Sequence, residues 1–246
     1  MDFLQGKYDS DVEEHMGIVS KIYYKYERYQ LKRRIASLIT NGAEIGEKIA
    51  WFSPDITIDS TRPYLLHIGD YCKVTKGVII LTHDYSLSVM RRVYGEWIGE
   101  GKETYIGDNC LIGMNSVILM GTHIGDNCIV GAGSVVHGNF PDNVVIAGNP
   151  AKVICTLEEH YKKRCERTID EAKGCAQLIR KRLKREPTPK DLISFRFLFT
   201  PRTNEALSEY GIDNFACNGD EPDEVKKAFF ETTPHWESFE DFLKDI

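Results

Sequence analysis

IGDNCLIGMNSVILMGTHIGDNCIVGAGSVV, residues 106–136, has a period of six. β-Branched aliphatic residues recur at every sixth position: Ile106, Ile112, Ile118, Ile124, Val130 and Val136. The fourth residue after each of them is small until the last turn: Cys110, Ser116, Thr122, Cys128, Ser134 and then Phe140. A helix repeats about every 3.6 residues and a strand every two, so neither explains this interval. A hexapeptide period is typical of a parallel β-helix, in which three short strands form a coil of about 18 residues.

The same period continues upstream and then breaks. Further residues keep the phase: Ile68, Val74 and Ile80 at the aliphatic position, and Cys72 and Val78 at the small position. Residues 84–104 lose the period and carry charges, aromatic rings and three glycines. We interpret them as an excursion loop that leaves one corner of the coil, and loops this long in a compact fold are usually functional. An irregular first coil is expected at 43–67, and a last partial coil is expected to end near Ile154.

Helical patterns flank the repeat on both sides. Residues 11–40 predict an amphipathic helix that packs on the end of the β-helix through a face comprising Tyr23, Tyr24, Tyr26, Tyr29, Leu31 and Ile35. Stacking of these tyrosines on nucleic acid is the alternative. Residues 156–185 predict a long helix, and shorter helical pieces follow it. The expected domains are an N-terminal helical segment at 1–42, a mainly β domain at 43–155 and a helical C-terminal extension at 156–246.

Composition restricts the classes of function. The sequence has no run of 18 apolar residues, so no transmembrane span is expected, and its first residues lack the apolar core of a signal peptide. A net charge of −6 argues against broad nucleic-acid binding. Seven cysteines, an odd number without a CxxC pattern, favour reduced, space-filling thiols of a cytoplasmic protein over disulfides or a zinc site.

Four segments resemble the hexapeptide-repeat acyltransferases: the repeat itself, LTHDYS at 81–86, IGDNCIVGAGSVV at 124–136 and AGNPAKVI at 147–154. They are similar to galactoside and maltose acetyltransferases and to the sugar O-acetyltransferases of capsule and lipopolysaccharide clusters, over about 43–155. The resemblance implies a left-handed parallel β-helix, although parallel crossovers are normally right-handed. It also implies a homotrimer that binds acetyl-CoA, as acyl donor, in a groove between neighbouring subunits.

The resemblance identifies His83, just before the excursion loop, as a general base. An acceptor hydroxyl is a poor nucleophile until a base accepts its proton during attack on the carbonyl carbon. Histidine titrates near neutrality and can return that proton to the leaving thiolate, so transfer needs no acyl-enzyme. A corner histidine that is satisfied by backbone groups is the alternative.

Two further groups of residues are implied to contact the substrates. The expected acetyl-CoA contacts are Gly113, Met114, Gly131, Ala132 and Lys152; glycines needed only by the corner and a solvated lysine are the alternatives. The expected acceptor contacts are Asp84, Tyr85 and Trp97, because flat aromatic faces stack on pyranose rings. The galactoside enzymes carry a lysine where Gly138 stands and an arginine where Cys155 stands. This sequence therefore lacks two positive charges that those enzymes have, and the expected binding of the CoA phosphates is weakened. They also have acidic acceptor-binding residues that Thr61 to Tyr64 do not match.

Two other interpretations, a zinc site and a non-catalytic scaffold, stay open at this point, whereas a dinucleotide site does not. His67, His123 and His137 could join His83 in a zinc site, as in some hexapeptide carbonic anhydrases, but three imidazoles would have to converge, and we expect no metal. The segment GAGSVV lacks the third glycine and the following helix of a dinucleotide site. The chain could also be a non-catalytic trimeric scaffold.

We therefore expect an acetyl-CoA-dependent O-acetyltransferase that acts on a sugar hydroxyl in the synthesis of bacterial surface polysaccharide. Its partner is expected to be a saccharide acceptor and not a nucleic acid. Peripheral association with membrane-linked glycan assembly stays open at this point. N-acetylation of an amino sugar or a small amine is the alternative reaction, since a neutral amine needs no strong base.

Overall fold

The structure is a computed structural model that describes residues 16–212 and 222–246. These residues form two compact units, one ending at Glu158 and the other beginning at Glu159. The first unit is a left-handed parallel β-helix preceded by helix α1 (Ile18–Thr40). Its strands are β1 (Glu44–Ile45), β2 (Ala50–Trp51), β3 (Thr57–Ile58), β4 (Leu66–Ile68), β5 (Lys73–Val74), β6 (Ile79–Ile80), β7 (Thr104–Ile106), β8 (Leu111–Ile112), β9 (Val117–Ile118), β10 (His123–Ile124), β11 (Ile129–Val130), β12 (Val135–Val136), β13 (Asn139–Phe140), β14 (Val144–Gly148) and β15 (Ala151–Thr156).

The strands form three sheets, which are the three faces of the coil. Their orders are β1-β4-β7-β10-β13, β15-β14-β11-β8-β5-β2 and β12-β9-β6-β3, with parallel neighbours except for β14 and β15. Tyr105 in β7 pairs with His123 in β10, which is a separation of 18 residues, or three hexapeptides. This register confirms the β-helix that the period predicts.

The interior is filled as the period predicts. All six aliphatic residues at the repeating position, from Ile106 to Val136, have no exposed surface. The small positions are also buried, and their polar groups bond to backbone carbonyls: the Cys72 thiol donates to Gly107 O at 3.1 Å and the Cys110 thiol to Gly125 O at 3.2 Å. Hydrogen bonds to neighbouring thiols, together with burial, raise the pKa of Cys110, so this cysteine stays protonated and fills space.

One corner of the coil is closed by a ladder of aspartates. The backbone N–H of Asp70 donates to Asp108 Oδ1 at 2.7 Å, that of Asp108 to Asp126 Oδ1 at 2.8 Å, and that of Asp126 to Asp142 Oδ1 at 2.9 Å. The glycine before each aspartate makes room for this contact, because a Cβ atom on Gly107 would lie 2.3 Å from Asp126 Oδ1. The IGD segments are therefore a packing requirement of the corner.

The excursion loop leaves and rejoins the coil at adjacent points. His67 in β4 pairs with Tyr105 in β7, so the coil that contains the loop has 38 residues, 20 more than the regular coils. Thr104 Oγ1 donates to Leu81 O at 2.7 Å and closes the base of the loop. The loop contains helix α2 (Leu87–Tyr94), where the sequence pattern predicted only irregular chain. Eight residues are too few to show a helical period.

The first coil is irregular, as expected, whereas the last partial coil ends earlier than expected. The first coil is longer than 18 residues, since Ile45 pairs with Ile68, yet all three of its faces carry a strand. β13 and β14 form the expected partial coil on β10 and β11, but this coil ends at Gly148 rather than near Ile154. There β15 turns back antiparallel to β14, and the φ of Gly148, +108°, favours glycine.

Helix α1 packs on the first coils through one face, which contains Leu31 and Ile35 of the predicted face but not its exposed tyrosines. The buried residues are Arg28, Leu31, Ile35 and Leu38. Arg28 Nη1 donates to Trp51 O at 2.5 Å. The prediction that the tyrosines pack inwards is wrong for three of them: Tyr23, Tyr26 and Tyr29 are 64%, 55% and 57% exposed. Helical spacing places them on the opposite side from Leu31 and Ile35. Residues 11–15 of the predicted helix lie outside the described residues.

The second unit is helical. It contains most of α3 (Leu157–Leu183), a 3-10 segment (Pro189–Leu198), α4 (Asn204–Glu209), α5 (Pro222–Phe230) and α6 (Phe239–Lys244). Its core comprises Ala172, Ala176, Leu192, Leu198, Phe199, Trp236, Phe239 and Phe242. Lys173 pairs with Asp245 at 2.8 Å, and Arg180 donates to the carbonyls of Leu243 and Ile246. Within the described ranges, no helix is both long and apolar enough to cross a membrane.

Candidate active site

Two corner segments from neighbouring coils meet beside the excursion loop. Ile58, the last residue of β3, pairs with Ile80, the last residue of β6, so the residues that follow them also lie side by side. Asp59 follows the first strand directly, and Thr82 and His83 follow the second after one residue. The parallel register thus brings together residues that are 24 positions apart in sequence.

Asp59 accepts an unusually complete set of hydrogen bonds. Its Oδ2 accepts from the Thr82 N–H at 3.0 Å, from Thr82 Oγ1 at 2.6 Å and from His83 Nδ1. Its Oδ1 accepts from the Thr61 N–H at 2.9 Å and from Thr61 Oγ1 at 2.8 Å. Burial raises the pKa of Asp59, but hydrogen bonds from Thr82, His83 and Thr61 outweigh it and hold the pKa well below its ordinary value. Asp59 is therefore ionised.

This carboxylate fixes the state of His83. An ionised carboxylate can only accept, so Nδ1 carries a proton, and in the neutral imidazole Nε2 then carries the lone pair. Thr61 Oγ1 lies 3.1 Å from Nδ1, and its hydrogen is directed to Asp59, so it adds a second acceptor there. The His83 Nε2 atom is buried and has no hydrogen-bond partner among the described residues. The contacts at Nδ1 thus orient the imidazole and leave Nε2 as the ring atom that can accept a proton.

The base of the excursion loop is tied down around His83. The Tyr85 ring meets the His83 ring edge-on, with centroids 4.4 Å apart, and 76% of Tyr85 is exposed. The Asp84 N–H donates to Glu100 Oε1 at 2.6 Å, and Arg62 Nη1 donates to Glu100 O at 2.7 Å. These bonds hold both ends of the loop next to the Asp59–His83 pair.

The three predicted acceptor contacts lie in different settings. Tyr85 contacts His83 directly. Both carboxylate oxygens of Asp84 accept from Ser86, from its N–H at 2.8 Å and its Oγ at 2.7 Å, and these bonds lower the pKa of Asp84. Trp97 is 83% exposed, with the Arg91 guanidinium 4.3 Å from its ring centroid. Asp84 therefore orders the loop, while the two aromatic rings face solvent.

Four of the five predicted acetyl-CoA contacts meet at one corner. Gly113 follows β8 and Gly131 follows β11, which are neighbours in one sheet, and Met114 and Ala132 beside them are exposed. The amides of both glycines are used within the coil, donating to Val130 O at 2.9 Å and Ile146 O at 2.7 Å. Lys152, the fifth residue, is exposed on β15.

The glycines at this corner have a structural role. A Cβ atom on Gly113 would lie 2.6 Å from Val130 O, and one on Gly131 would lie 2.9 Å from Ala147 Cβ. Both positions therefore need glycine for the approach of the next coil, whatever they bind. The exposed side chains of Met114 and Ala132 remain as the predicted contact surface.

Two of the other histidines belong to a stack on the outer face of a sheet. The Tyr105 ring lies between the rings of His67 and His123 and is nearly parallel to both. Its centroid is 4.2 Å from that of His67 and 4.5 Å from that of His123. His67 Nδ1 also pairs with Glu44 Oε2 at 2.9 Å. Residues 16–212 and 222–246 contain no group of three side chains placed to hold a metal ion.

Sequence reasoning missed Asp59, Thr61 and Thr82. Asp59 follows Ile58, which is an interior residue of the first coil, so its position beside His83 could be inferred only from the register of that coil. The extra residues between β3 and β4 hide this register, because Thr57 pairs with Ile79 across 22 positions rather than 18.

Parts of the chain are similar to known proteins. Residues 104–137 match the family described as hexapeptide repeat of succinyl-transferase. The chain is similar to protein CapG of Staphylococcus aureus, with 44% identity over 125 residues that cover 51% of this chain and 72% of CapG. It is also similar to YvoF of Bacillus subtilis (strain 168), provisionally named an acetyltransferase, with 36% identity over 45% of this chain and 56% of YvoF.

Among solved structures, a maltose O-acetyltransferase from Clostridium difficile 630 matches 54% of this chain and 85% of its own, with 24% identity and a TM-score of 0.38. The similarity to CapG, 72% of whose length is covered, and the hexapeptide match within the β-helix identify the family. The chain belongs to the hexapeptide-repeat acyltransferase family.

Proposed function

We propose that this protein transfers an acetyl group from acetyl-CoA to a sugar hydroxyl in the synthesis of bacterial surface polysaccharide. The observation that carries the proposal is the Asp59–His83 pair, which leaves a buried Nε2 lone pair beside an exposed aromatic loop. A general base is what a hydroxyl acceptor needs, since it must lose its proton as it attacks a thioester carbonyl. The aromatic rings of Tyr85 and Trp97 suit a pyranose acceptor.

His83 is the residue that moves the proton. Its Nε2 accepts the proton of the acceptor hydroxyl while the hydroxyl oxygen bonds to the carbonyl carbon of the thioester. The tetrahedral intermediate then breaks its carbon–sulfur bond, and the same Nε2 returns the proton to the leaving thiolate. Asp59 stays ionised throughout and stabilises the imidazolium that forms between the two steps. The acetyl group passes directly to the acceptor oxygen.

We assign binding of acetyl-CoA to the corner that contains Gly113, Met114, Gly131 and Ala132, with Lys152 near the phosphates, in the groove between neighbouring subunits of a homotrimer. Ala132→Trp tests this groove better than a change at either glycine, because Ala132 is exposed and both glycines are packed against the next coil. Calorimetry should show a large loss of CoA affinity. Undiminished affinity in a folded Ala132→Trp protein would remove this corner from the site.

The experiment that tests the activity is an acceptor screen with free CoA as the readout. The parent protein, His83→Ala and the control His137→Ala are assayed with hydroxyl and amine acceptors. His137 is an exposed corner histidine outside the Asp59–His83 pair. With hydroxyl acceptors His83→Ala should lose roughly two to four orders of magnitude in rate, and His137→Ala should match the parent.

The outcomes separate the reactions. If amines are acetylated efficiently and His83→Ala loses little of that rate, the protein is an N-acetyltransferase and the proposal of O-acetylation is wrong. No acceptor-dependent release of CoA by the parent protein with any acceptor would favour a non-catalytic scaffold.

A further inference from the structure

Helix α1 has a second apolar face, on the side away from the β-helix. Its members are 55–81% exposed: Ile18, Val19, Ile22, Tyr23, Tyr26 and Tyr29. We call these six residues the outer face of α1. Successive residues of a helix turn by about 100°, which places all six within an arc of about 140°. This arc is centred opposite the buried residues Arg28, Leu31, Ile35 and Leu38.

The helix is also strongly basic within an acidic protein. Ile18–Thr40 contains six cationic residues and one acidic residue, a net charge of +5, whereas the whole chain carries −6. On the helical wheel, Lys21, Lys25 and Lys32 follow one border of the outer face. An exposed apolar strip bordered by lysines is the pattern of helices that lie in the interface of an anionic membrane.

The composition of the strip suits that interface. Half of its residues are tyrosines, which combine an apolar ring with a polar hydroxyl and are enriched where a bilayer meets water. The remaining three are aliphatic and are 66% exposed or more. Such a helix buries its apolar face roughly 5–10 Å into the boundary between headgroups and acyl chains, while its lysines meet anionic headgroups.

The charge of α1 argues against a second copy of the chain as the occupant of the outer face. A second copy that met it through the same face would bring another helix with a net charge of +5 against this one. An anionic bilayer carries the opposite charge, and weak, reversible binding is sufficient for peripheral association.

We propose that the outer face of α1 docks the protein on the surface of an anionic lipid bilayer. The docking involves none of the residues of the Asp59–His83 pair, so it stands or falls independently of the proposed acetyl transfer. It would bring the catalytic unit to acceptors that are carried on lipids.

The test is sedimentation of the full chain with lipid vesicles. Vesicles of phosphatidylcholine with phosphatidylglycerol are compared with vesicles of phosphatidylcholine alone, at low and high salt. The parent should bind the anionic vesicles, bind the neutral ones far less, and lose binding as salt rises. Ile22→Ser with Tyr26→Ser should weaken binding at least about tenfold, because two apolar side chains no longer enter the lipid.

The matched control is Val89→Ser with Val93→Ser on α2, whose side chains are 65% and 66% exposed. This variant should bind vesicles like the parent. Circular dichroism and analytical ultracentrifugation check that both variants keep the fold and the oligomeric state of the parent. Three results would overturn the proposal: no binding of the parent to anionic vesicles, equal binding by the Ile22/Tyr26 variant, or a change in its oligomeric state, which would mean that a second copy covers the face.

Discussion

The corner after the third sheet is built in two ways along the β-helix. In the regular coils the chain turns at once: Leu119 is followed by Met120 and by Gly121 at a φ of +77°. In the first two coils additional residues follow the strand before the next one begins, and the same corner contains Asp59 and His83. At this corner, within the described residues, polar side chains converge where the hexapeptide repeat is interrupted.

This contrast separates the two tasks of the chain. The regular coils carry interior residues with no exposed surface, and a Cβ atom on Gly107, Gly113 or Gly125 would clash with the next coil, so little can change there without disturbing the packing. The interrupted coils carry extra residues, 20 in the excursion loop, and these provide room for the Asp59–His83 pair and an exposed loop. Substitutions in the two regions should therefore have different consequences.

The largest effect on stability is expected at a glycine of the regular coils. Gly113→Ala places a Cβ atom 2.6 Å from the backbone atoms Val130 O and Ala132 N, which cannot move without shifting a coil. We expect a loss of about 3 kcal/mol in the free energy of unfolding, measured by urea denaturation. The control is Gly99→Ala in the excursion loop, where an added Cβ has no neighbour within 4 Å. Equal stability of the two variants would contradict the contrast.

A smaller effect is expected from Thr82→Val. The variant keeps the shape of a side chain with no exposed surface but removes the hydroxyl that donates to Asp59 Oδ2 at 2.6 Å. It should cost about 2 kcal/mol at neutral pH, the usual value of a hydrogen bond to a charged group.

The pH dependence of this loss follows from the pKa of Asp59. Because the folded-state pKa is lowered, Asp59 contributes stability that is present above about pH 4 and is lost as the pH falls through the folded-state pKa. Thr82→Val raises the folded-state pKa and reduces that contribution. The stability difference between parent and variant should therefore narrow below about pH 4. A difference that is constant with pH would mean that Thr82 does not act through the carboxylate.

How much of this could be read from the sequence depends on the regularity of each segment. The six-residue period predicted the strands, the buried aliphatics and the buried cysteines, because each coil repeats the same packing problem. It could not place Asp59 beside His83, since the register of the first coil is set by residues that break the period. It also could not tell which apolar face of α1 is buried, because the helix has two opposite apolar faces.

The smallest effect is expected in the outer part of the excursion loop. Trp97→Ala should leave transfer to a free monosaccharide unchanged and lower kcat/KM for an oligosaccharide or a carrier-linked saccharide by about three- to tenfold, the value of one stacking contact. Binding energy from the remote parts of a large acceptor should raise kcat as well as affinity. Tyr94→Ala, 75% exposed in the same loop, is the control. This prediction assumes that the acceptor is larger than a monosaccharide or is linked to a carrier. If the parent uses both acceptors equally well and Trp97→Ala changes neither rate, that assumption is wrong.

The central claim is that Asp59 and His83 act as one proton-accepting unit assembled across two coils. A double-mutant cycle tests it: single-turnover transfer to a hydroxyl acceptor is measured for the parent, Asp59→Asn, His83→Ala and the double variant. Asp59→Asn should lose about two orders of magnitude or more, and the double variant should be little slower than His83→Ala alone, because residues that act as a unit are not additive. Losses that multiply, or an Asp59→Asn protein as fast as the parent, would show that the two residues work separately and would contradict the claim.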